Sequence, residues 1–351
     1  MQPLAIELVD AGVTSVDCRG RISSPSPGLA IVDQSELAVG DDAASRARLA
    51  PRRLHSRFWQ DLGTEPLTRP FPNHLRTADL AHAHLIGVWH DSGAEWDQVL
   101  LAVPGVMSAS QLGLLLGLAQ ASSIPVSGLV DLAVAAAANR AIREQCLHLD
   151  LHLHRAVLTV LQHDSDVRRQ QVVTEDRVGL SSLMDAWARA VAGKFVRTTR
   201  FDPLLSAATE QVLYLHLPAH LRSLCDQDVI EIAIASGGRR HSIDFERHEA
   251  VTAASGYTVL VDAVRSRTAG REATVLLSDR AASLPGLVSA LAEVNGLEIM
   301  ALHPAAAASA ALDHASHLLS SGPEFKLVTS LPGFDGRPPG AATVAVDSRD
   351  A

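Results

Sequence analysis

The chain has 351 residues, 47% of them hydrophobic and 20% charged, with a formal net charge of -9. This balance describes a globular protein with material for two domains; it excludes a disordered segment and a polybasic nucleic-acid surface. Three cysteines at wide spacings (Cys18, Cys146 and Cys225) form neither a metal knuckle nor a disulfide framework, so reduced thiols and a cytoplasmic location are expected.

Glu7 and Asp10 interrupt the first apolar run, which therefore does not read as a signal peptide. The longest apolar stretch, Leu129–Ala138, contains Asp131 and is too short to cross a bilayer. Leu4–Val9 reads as a buried strand, Asp10–Thr14 as a tight turn and Val13–Cys18 as the returning strand. Gly28–Asp33 is a third strand candidate, and Ala43–Leu49 a short helix. Arg52–Leu62 mixes Phe58 and Trp59 with charges, and the proline run Pro66–Pro72 breaks structure. About 39–75 is taken as an inserted subdomain. Arg76–Ser92 follows as a helix, Trp96–Pro104 as a buried strand, and Ser108–Ser122 as a helix with Ser108 as its N-cap. Val126–Leu129 is a strand and Asp131–Gln145 an alanine-rich helix.

Gln145–Leu161 is the most regular stretch. Leu147, Leu149, Leu151 and Leu153 fall on one parity; His148, Asp150, His152 and His154 fall on the other. Such alternation with a β-branched tail predicts a hairpin, with a third strand near Arg169–Val173. Aligning Asp10 with Asp150 sets Gly12 against His152 and Thr14 against His154. The two phrases read as an internal duplication whose second copy has lost its glycine. Beyond it, Val178–Leu224 is helical with breaks at Phe201–Pro203 and before Pro218. Val229–Ala235 and His241–Phe245 are strands around a turn. Phe245–Ala254 is helical, and Tyr257–Arg265 fits either state. Glu272–Leu277 is a buried strand, Ser278–Ser283 a loop, Pro285–Glu293 a helix, Leu297–Leu302 a strand and Ala305–Leu319 a helix. The tail after Gly333 has the composition of a mobile segment. Strands alternating with helices give an α/β class with two lobes, about 1–140 and 141–333, the second carrying an insert near 178–255.

The order of segments resembles the actin/sugar-kinase/Hsp70 superfamily, and the Hsp70 ATPase domain most closely. Val9-Asp10-Ala-Gly12-Val-Thr14-Ser15 is similar to a first phosphate loop. Val99–Pro104 followed by Ser110-Gln111 resembles the stretch I-T-V-P-A…Q. Asp131 opening an alanine run resembles a connecting helix, and Leu149-Asp150-Leu151 a second phosphate loop. Ser278-Asp279-Arg280…Ser283-Leu-Pro285 resembles an adenosine loop, and Pro304…Ala310-Ala311 a C-terminal helix. The resemblance spans about residues 4 to 320. It implies a two-lobed fold of duplicated ribonuclease-H-like halves. It also implies a nucleotide, ATP or ADP, held with Mg²⁺ through Asp10 and Asp150, with Asp131 as a third carboxylate and Gly12, Val13, Thr14, His152, Ser278, Asp279 and Arg280 around it. The sequence departs from the family where chemistry needs it: imidazoles stand at both glycines of the second loop, and Ser278-Asp279 replaces the paired glycines of the adenosine loop. Backbone N–H groups cannot close on a phosphate past such side chains.

Asp10 and Asp150 are the strongest candidate pair, against a plain role as turn residues. The histidines 148, 152 and 154 with Asp150 offer metal-binding chemistry, but neighbours on one strand face stand about 7 Å apart, too far for all to share an ion unless the turn bends them inward; polar cleft-facing side chains are the plainer reading. Arg155 and Arg280 are expected to neutralise Asp150 and Asp279. The Arg46–Arg57 cluster reads as a solvated face, and Phe58 with Trp59 as an anchor for the first insert. The leading expectation is an Hsp70-like pseudo-ATPase, chaperone-like in fold, that works through an unidentified protein partner without nucleic acid or a membrane span. A working ATPase and an actin-like filament protomer, hence a homo-oligomer, are the alternatives.

Overall fold

The computed structural model describes residues 2–33, 36–67, 75–93, 95–319 and 325–334. The chain opens on β1 (Pro3–Glu7) and β2 (Thr14–Asp17), an antiparallel hairpin. β3 (Ala30–Val32), β4 (Leu37–Val39) and β5 (Leu54–His55) form a separate small antiparallel sheet, with α1 (Gly40–Ala44) beside it. Then come α2 (Thr77–Asp91), β6 (Gln98–Val103), α3 (Ala109–Ala121), β7 (Val126–Asp131) and α4 (Leu132–Ala138). The second part begins with the meander β8 (Gln145–Leu151), β9 (Ala156–His163) and β10 (Asp166–Glu175). α5 (Leu180–Thr199), α6 (Ala207–Asp226), the hairpin β11 (Val229–Ser236) and β12 (Arg239–Glu246), α7 (Arg247–Ala253) and α8 (Gly256–Thr268) follow. The chain continues through β13 (Ala273–Leu277), α9 (Asp279–Ala282), α10 (Leu287–Ala292), β14 (Leu297–Ala301), α11 (Ala306–Asp313), α12 (Ala315–Leu318), β15 (Leu327–Val328) and β16 (Ser330–Pro332).

Two mixed sheets repeat one wiring. The first has the order β15-β7-β6-β1-β2 and the second β14-β13-β8-β9-β10-β16. In each, a hairpin strand (β1 or β8) pairs antiparallel with its successor and parallel with a later strand, which pairs parallel with the next. The difference is the third strand. β10 stays in the second sheet, whereas β3 leaves the first and joins the small sheet.

Period-two alternation sorts side chains to opposite faces of each sheet. Leu4 and Ile6 of β1 enter an outer core with α2 and α3, while Ala5 points to an inner core. Leu147, Leu149 and Leu151 of β8 join the outer core under α5, α6 and α8; Cys146 points inward. The inner core holds α4 and α11, which pack on each other between the sheets. Every residue of α4 is buried, and all but Leu132 and Val134 are alanine. Alanine lets two helices approach closely between sheets that a bulkier core would force apart.

Several expected elements change. The helix expected over 131–145 stops at Ala138, and β8 starts at Gln145. Pro218 lies inside the continuous helix α6, where burial of Leu213, Leu217, Leu221 and Leu224 against the outer core outweighs the lost backbone hydrogen bond. Ser278–Ser283 is a helical turn with Ser278 as its N-cap. The expected helix 43–49 is α1, displaced to 40–44, and Tyr257–Arg265 lies in α8. The helix 305–319 splits at His314. Ser108 caps α3 as expected, accepting from the Gln111 amide. Part of the proline run, residues 68–72, and the tail from 335 lie outside the described residues.

The end of the chain belongs to both sheets. Leu327 and Val328 pair with β7 on the first, and Ser330–Pro332 pair with β10 on the second. Among the described residues no helix is long and apolar enough to cross a membrane.

Candidate functional site

The turns after β1 and β8 face each other across the inner layer. In the first, the Gly12 amide bonds to the Val9 carbonyl and Val13 pairs with Ser26. The Gly28 amide donates to the Asp10 carbonyl at 2.7 Å; a Cβ on Gly28 would stand 2.9 Å from that oxygen, so only glycine fits. His84 braces this loop from behind. Trp59 Nε1 donates to its Nδ1 at 2.8 Å, which leaves Nε2 as the protonated nitrogen facing Ser26 Oγ at 2.9 Å. Burial pushes the His84 pKa down to about 4, and Phe58 meets its ring edge-on. Phe58 and Trp59 thus anchor the first insert, as read from the sequence.

The Asp10 carboxylate is buried and bound from the second turn. Oδ1 accepts the Leu153 amide at 2.9 Å and lies 3.1 Å from His152 Nδ1. Burial opposes charge on Asp10, but His152 and the Leu153 amide outweigh it and hold the carboxyl below its usual range. Arg155 adds to this field, and its buried Nε has no hydrogen-bond partner among the described residues. The second turn closes through the His152 amide on the Arg155 carbonyl, and Gly179 presses on it from outside. A Cβ on Gly179 would collide with the Arg155 amide nitrogen and the His154 carbonyl carbon.

Asp150, at the end of β8, is held by a different residue. Arg280 donates from Nε to Oδ1 at 3.2 Å and from Nη2 to Oδ2 at 2.9 Å. The same Nη2 reaches Glu7 Oε1 at 3.0 Å, and Glu7 Oε2 accepts the Ala307 amide at 3.2 Å. Glu7, Asp150 and Arg280 therefore tie β1, β8, α9 and α11 into one buried network. Burial works against charge here too, but Arg280 and the nearby histidines hold Asp150 well below the usual carboxylate range. The expected pairing of Arg155 with Asp150 and of Arg280 with Asp279 is exchanged: Arg280 binds Asp150, Arg155 lies beside Asp10, and Asp279 is met by Arg222 at 3.4 Å.

Asp131 is fully buried. Its Oδ1 caps α4 through the Ala133 and Val134 amides, and its Oδ2 accepts from Arg169 Nη1 at 2.7 Å. Burial pushes this carboxyl up against the pull of Arg169 and the helix amides. The three carboxylates named from the sequence thus have three separate partners: His152, Arg169 and Arg280. The alternating histidines diverge as well. His152 meets Asp10, and His154 Nε2 pairs with Ser56 Oγ at 2.8 Å. His148 is buried on the cavity wall with its pKa pushed down by burial to about 4. Among the described residues no three His, Cys, Asp or Glu side chains converge as a metal site.

A cavity of about 620 Å³ opens beside these turns. Thr14, Ser278, Asp279 and Arg280 line it; Val13 is core. Arg48, Asp185, Gln211 and Tyr214 also line it and join the segment after α1 to α5 and α6. Arg48 stacks 3.5 Å above the Tyr214 ring, contacts Asp185 at 3.1 Å and Glu210 at 3.6 Å, and its amide donates to Gln211 Oε1. The solvated face expected for Arg46–Arg57 is therefore corrected at Arg48, which crosses between α1 and α6. Sequence reasoning missed Glu7, Arg169 and Gly179. Only Glu7 left a signal, as a lone charge within an apolar strand.

No family model matches the sequence, and no curated protein does either. The three cysteines are unpaired.

Proposed function

We propose that this chain is a degenerate member of the actin/Hsp70 superfamily, a pseudo-ATPase that acts through contacts with a protein partner in the cytoplasm. The repeated wiring of the two sheets, each headed by a hairpin with an aspartate near its turn, supports a two-lobed, duplicated fold of ribonuclease-H-like halves. One observation carries the functional reading: Asp10 accepts the Leu153 amide and faces His152. Those groups occupy the gap between the two turns. A triphosphate needs free backbone N–H groups there, and Mg²⁺ needs carboxylates that can bind its water shell. Here the Leu153 amide serves a carboxylate, and Asp10, Asp131 and Asp150 serve internal cations and amides. As arranged, these residues do not fit a hydrated Mg²⁺.

The test is a thermal unfolding experiment with Mg·ATP and Mg·ADP. No rise in Tm is expected. A nucleotide present at 100 times its dissociation constant would stabilise the chain by about 2.7 kcal/mol, so a clear rise overturns the reading in favour of a working ATPase. His152→Gly combined with His154→Gly should create no hydrolysis, because Arg280 still occupies Asp150. Nucleotide-dependent light scattering would instead favour a filament protomer.

A further inference from the structure

The cavity between the inserts and the two turns has a composition of its own. Its volume of about 620 Å³ is in the range of small-molecule sites. Its wall is mainly aliphatic and includes Pro25, Leu29, Leu180, Met184, Leu302 and Ala307.

The charges on that wall are already engaged. Its three guanidinium groups are Arg48, Arg222 and Arg280. Arg48 is bound to Asp185 and Glu210, Arg222 to Asp279, and Arg280 to Asp150 and Glu7. Asp41 adds a further carboxyl at the rim, pushed up by partial burial and by Asp42 and Asp91. Among the described residues an anion entering here meets no guanidinium without a carboxylate partner, so its desolvation would be poorly compensated. One polar group is left over: Thr14 is 2% exposed, lines the cavity, and its Oγ1 has no hydrogen-bond partner among the described residues. His148 stands on the same wall as a buried imidazole. A buried hydroxyl without a partner is costly to leave so.

We propose that this cavity binds an uncharged, largely apolar small molecule that hydrogen-bonds to Thr14 Oγ1 and is enclosed by the Arg48 bridge. The proposal rests on the reading of this cleft as closed to a triphosphate, and it names what the cleft takes instead.

The probe is Nile red, an uncharged dye whose emission rises in apolar surroundings, titrated into the full chain. One saturable site is expected. Met184→Trp, which fills the cavity from its half-buried wall, should weaken the dye about tenfold. Thr14→Val, which keeps the shape and removes the hydroxyl, should weaken it about threefold. 1-Decanol should displace the dye at a concentration at least about tenfold below that of decanoate, its anionic counterpart. Mg·ATP should leave the signal unchanged. Absence of saturable binding, or binding indifferent to both substitutions, overturns the ligand site while the pseudo-ATPase reading stands. Decanoate competing as well as decanol overturns the charge argument and with it the proposal. Displacement by Mg·ATP overturns both readings.

Discussion

The two hairpin turns sit at the same place in two sheets of like wiring and differ in where their space comes from. The first keeps Gly12 inside the turn, and its Asp10 reaches across to the other copy. The second carries imidazoles where its counterpart has Gly12 and Thr14. It keeps its tight backbone because Gly179, far along the chain, supplies the room from outside. The aspartates differ in the same way. Asp10 lies beside a histidine of the other turn, and Asp150 is neutralised by a guanidinium on α9. A turn can therefore lose its own glycines and stay folded, but only by committing neighbours to it.

The sharpest way to break this comparison is at Arg280. Arg280→Met strands Glu7 and Asp150 as buried carboxylates, and the expected loss is about 3–5 kcal/mol in chemical denaturation. A loss below about 1 kcal/mol would show that water reaches both acids. Next is Gly179→Ala, which forces a methyl group into the backbone of the second turn and should cost about 3 kcal/mol. Gly113→Ala is its control: a Cβ on Gly113 in α3 meets nothing within 4 Å, so stability should rise by up to about 1 kcal/mol. Equal effects at the two glycines would remove the argument for external space.

The pH dependence sharpens the contrast between His148 and the aspartates. His148 has a pKa lowered from 6.5 to about 4. Above pH 6.5 it is neutral in both states. Between there and about pH 4 the unfolded chain takes up a proton that the folded chain does not, so stability falls as pH falls, by up to about 1.4 kcal/mol per pH unit. His148→Gln should remove its share of that slope and leave the share of His84, whose pKa is lowered likewise. Asp10 and Asp150 act further down. Their folded pKa values lie below the unfolded ones, so their contribution is complete above the usual carboxylate range and fades as pH drops through the folded values. A stability curve that His148→Gln leaves unchanged would place that ring in water. The smallest effect is expected at Arg48→Ala. This half-exposed bridge should lose less than about 1 kcal/mol, yet hydrogen exchange should quicken in residues 40–50 and in α6.

Much of the frame could be read from residue order. The alternation in β8 announced its two faces, and Ser108 announced the start of α3. Elements whose fate depends on distant packing could not be read. Pro218 looks like a break until the apolar stripe of α6 is seen buried. Ser278 looks like loop until it caps α9. The site was half visible: Asp10, Asp131 and Asp150 stand out by position, but their partners do not. Arg169 and Gly179 carry no local mark, because their roles arise only when strands far apart in sequence come together.

The ending of the chain has a consequence for how the molecule is made. The first sheet takes its last edge strand from residues 327–328, and β1 and β6 are covered on one face by α11. During synthesis the first sheet therefore keeps one face and one edge open until residues 306–328 have been made. A chain interrupted before residue 306 would leave both halves unfinished, and quality control would meet a nascent protein with an open alanine-rich seam.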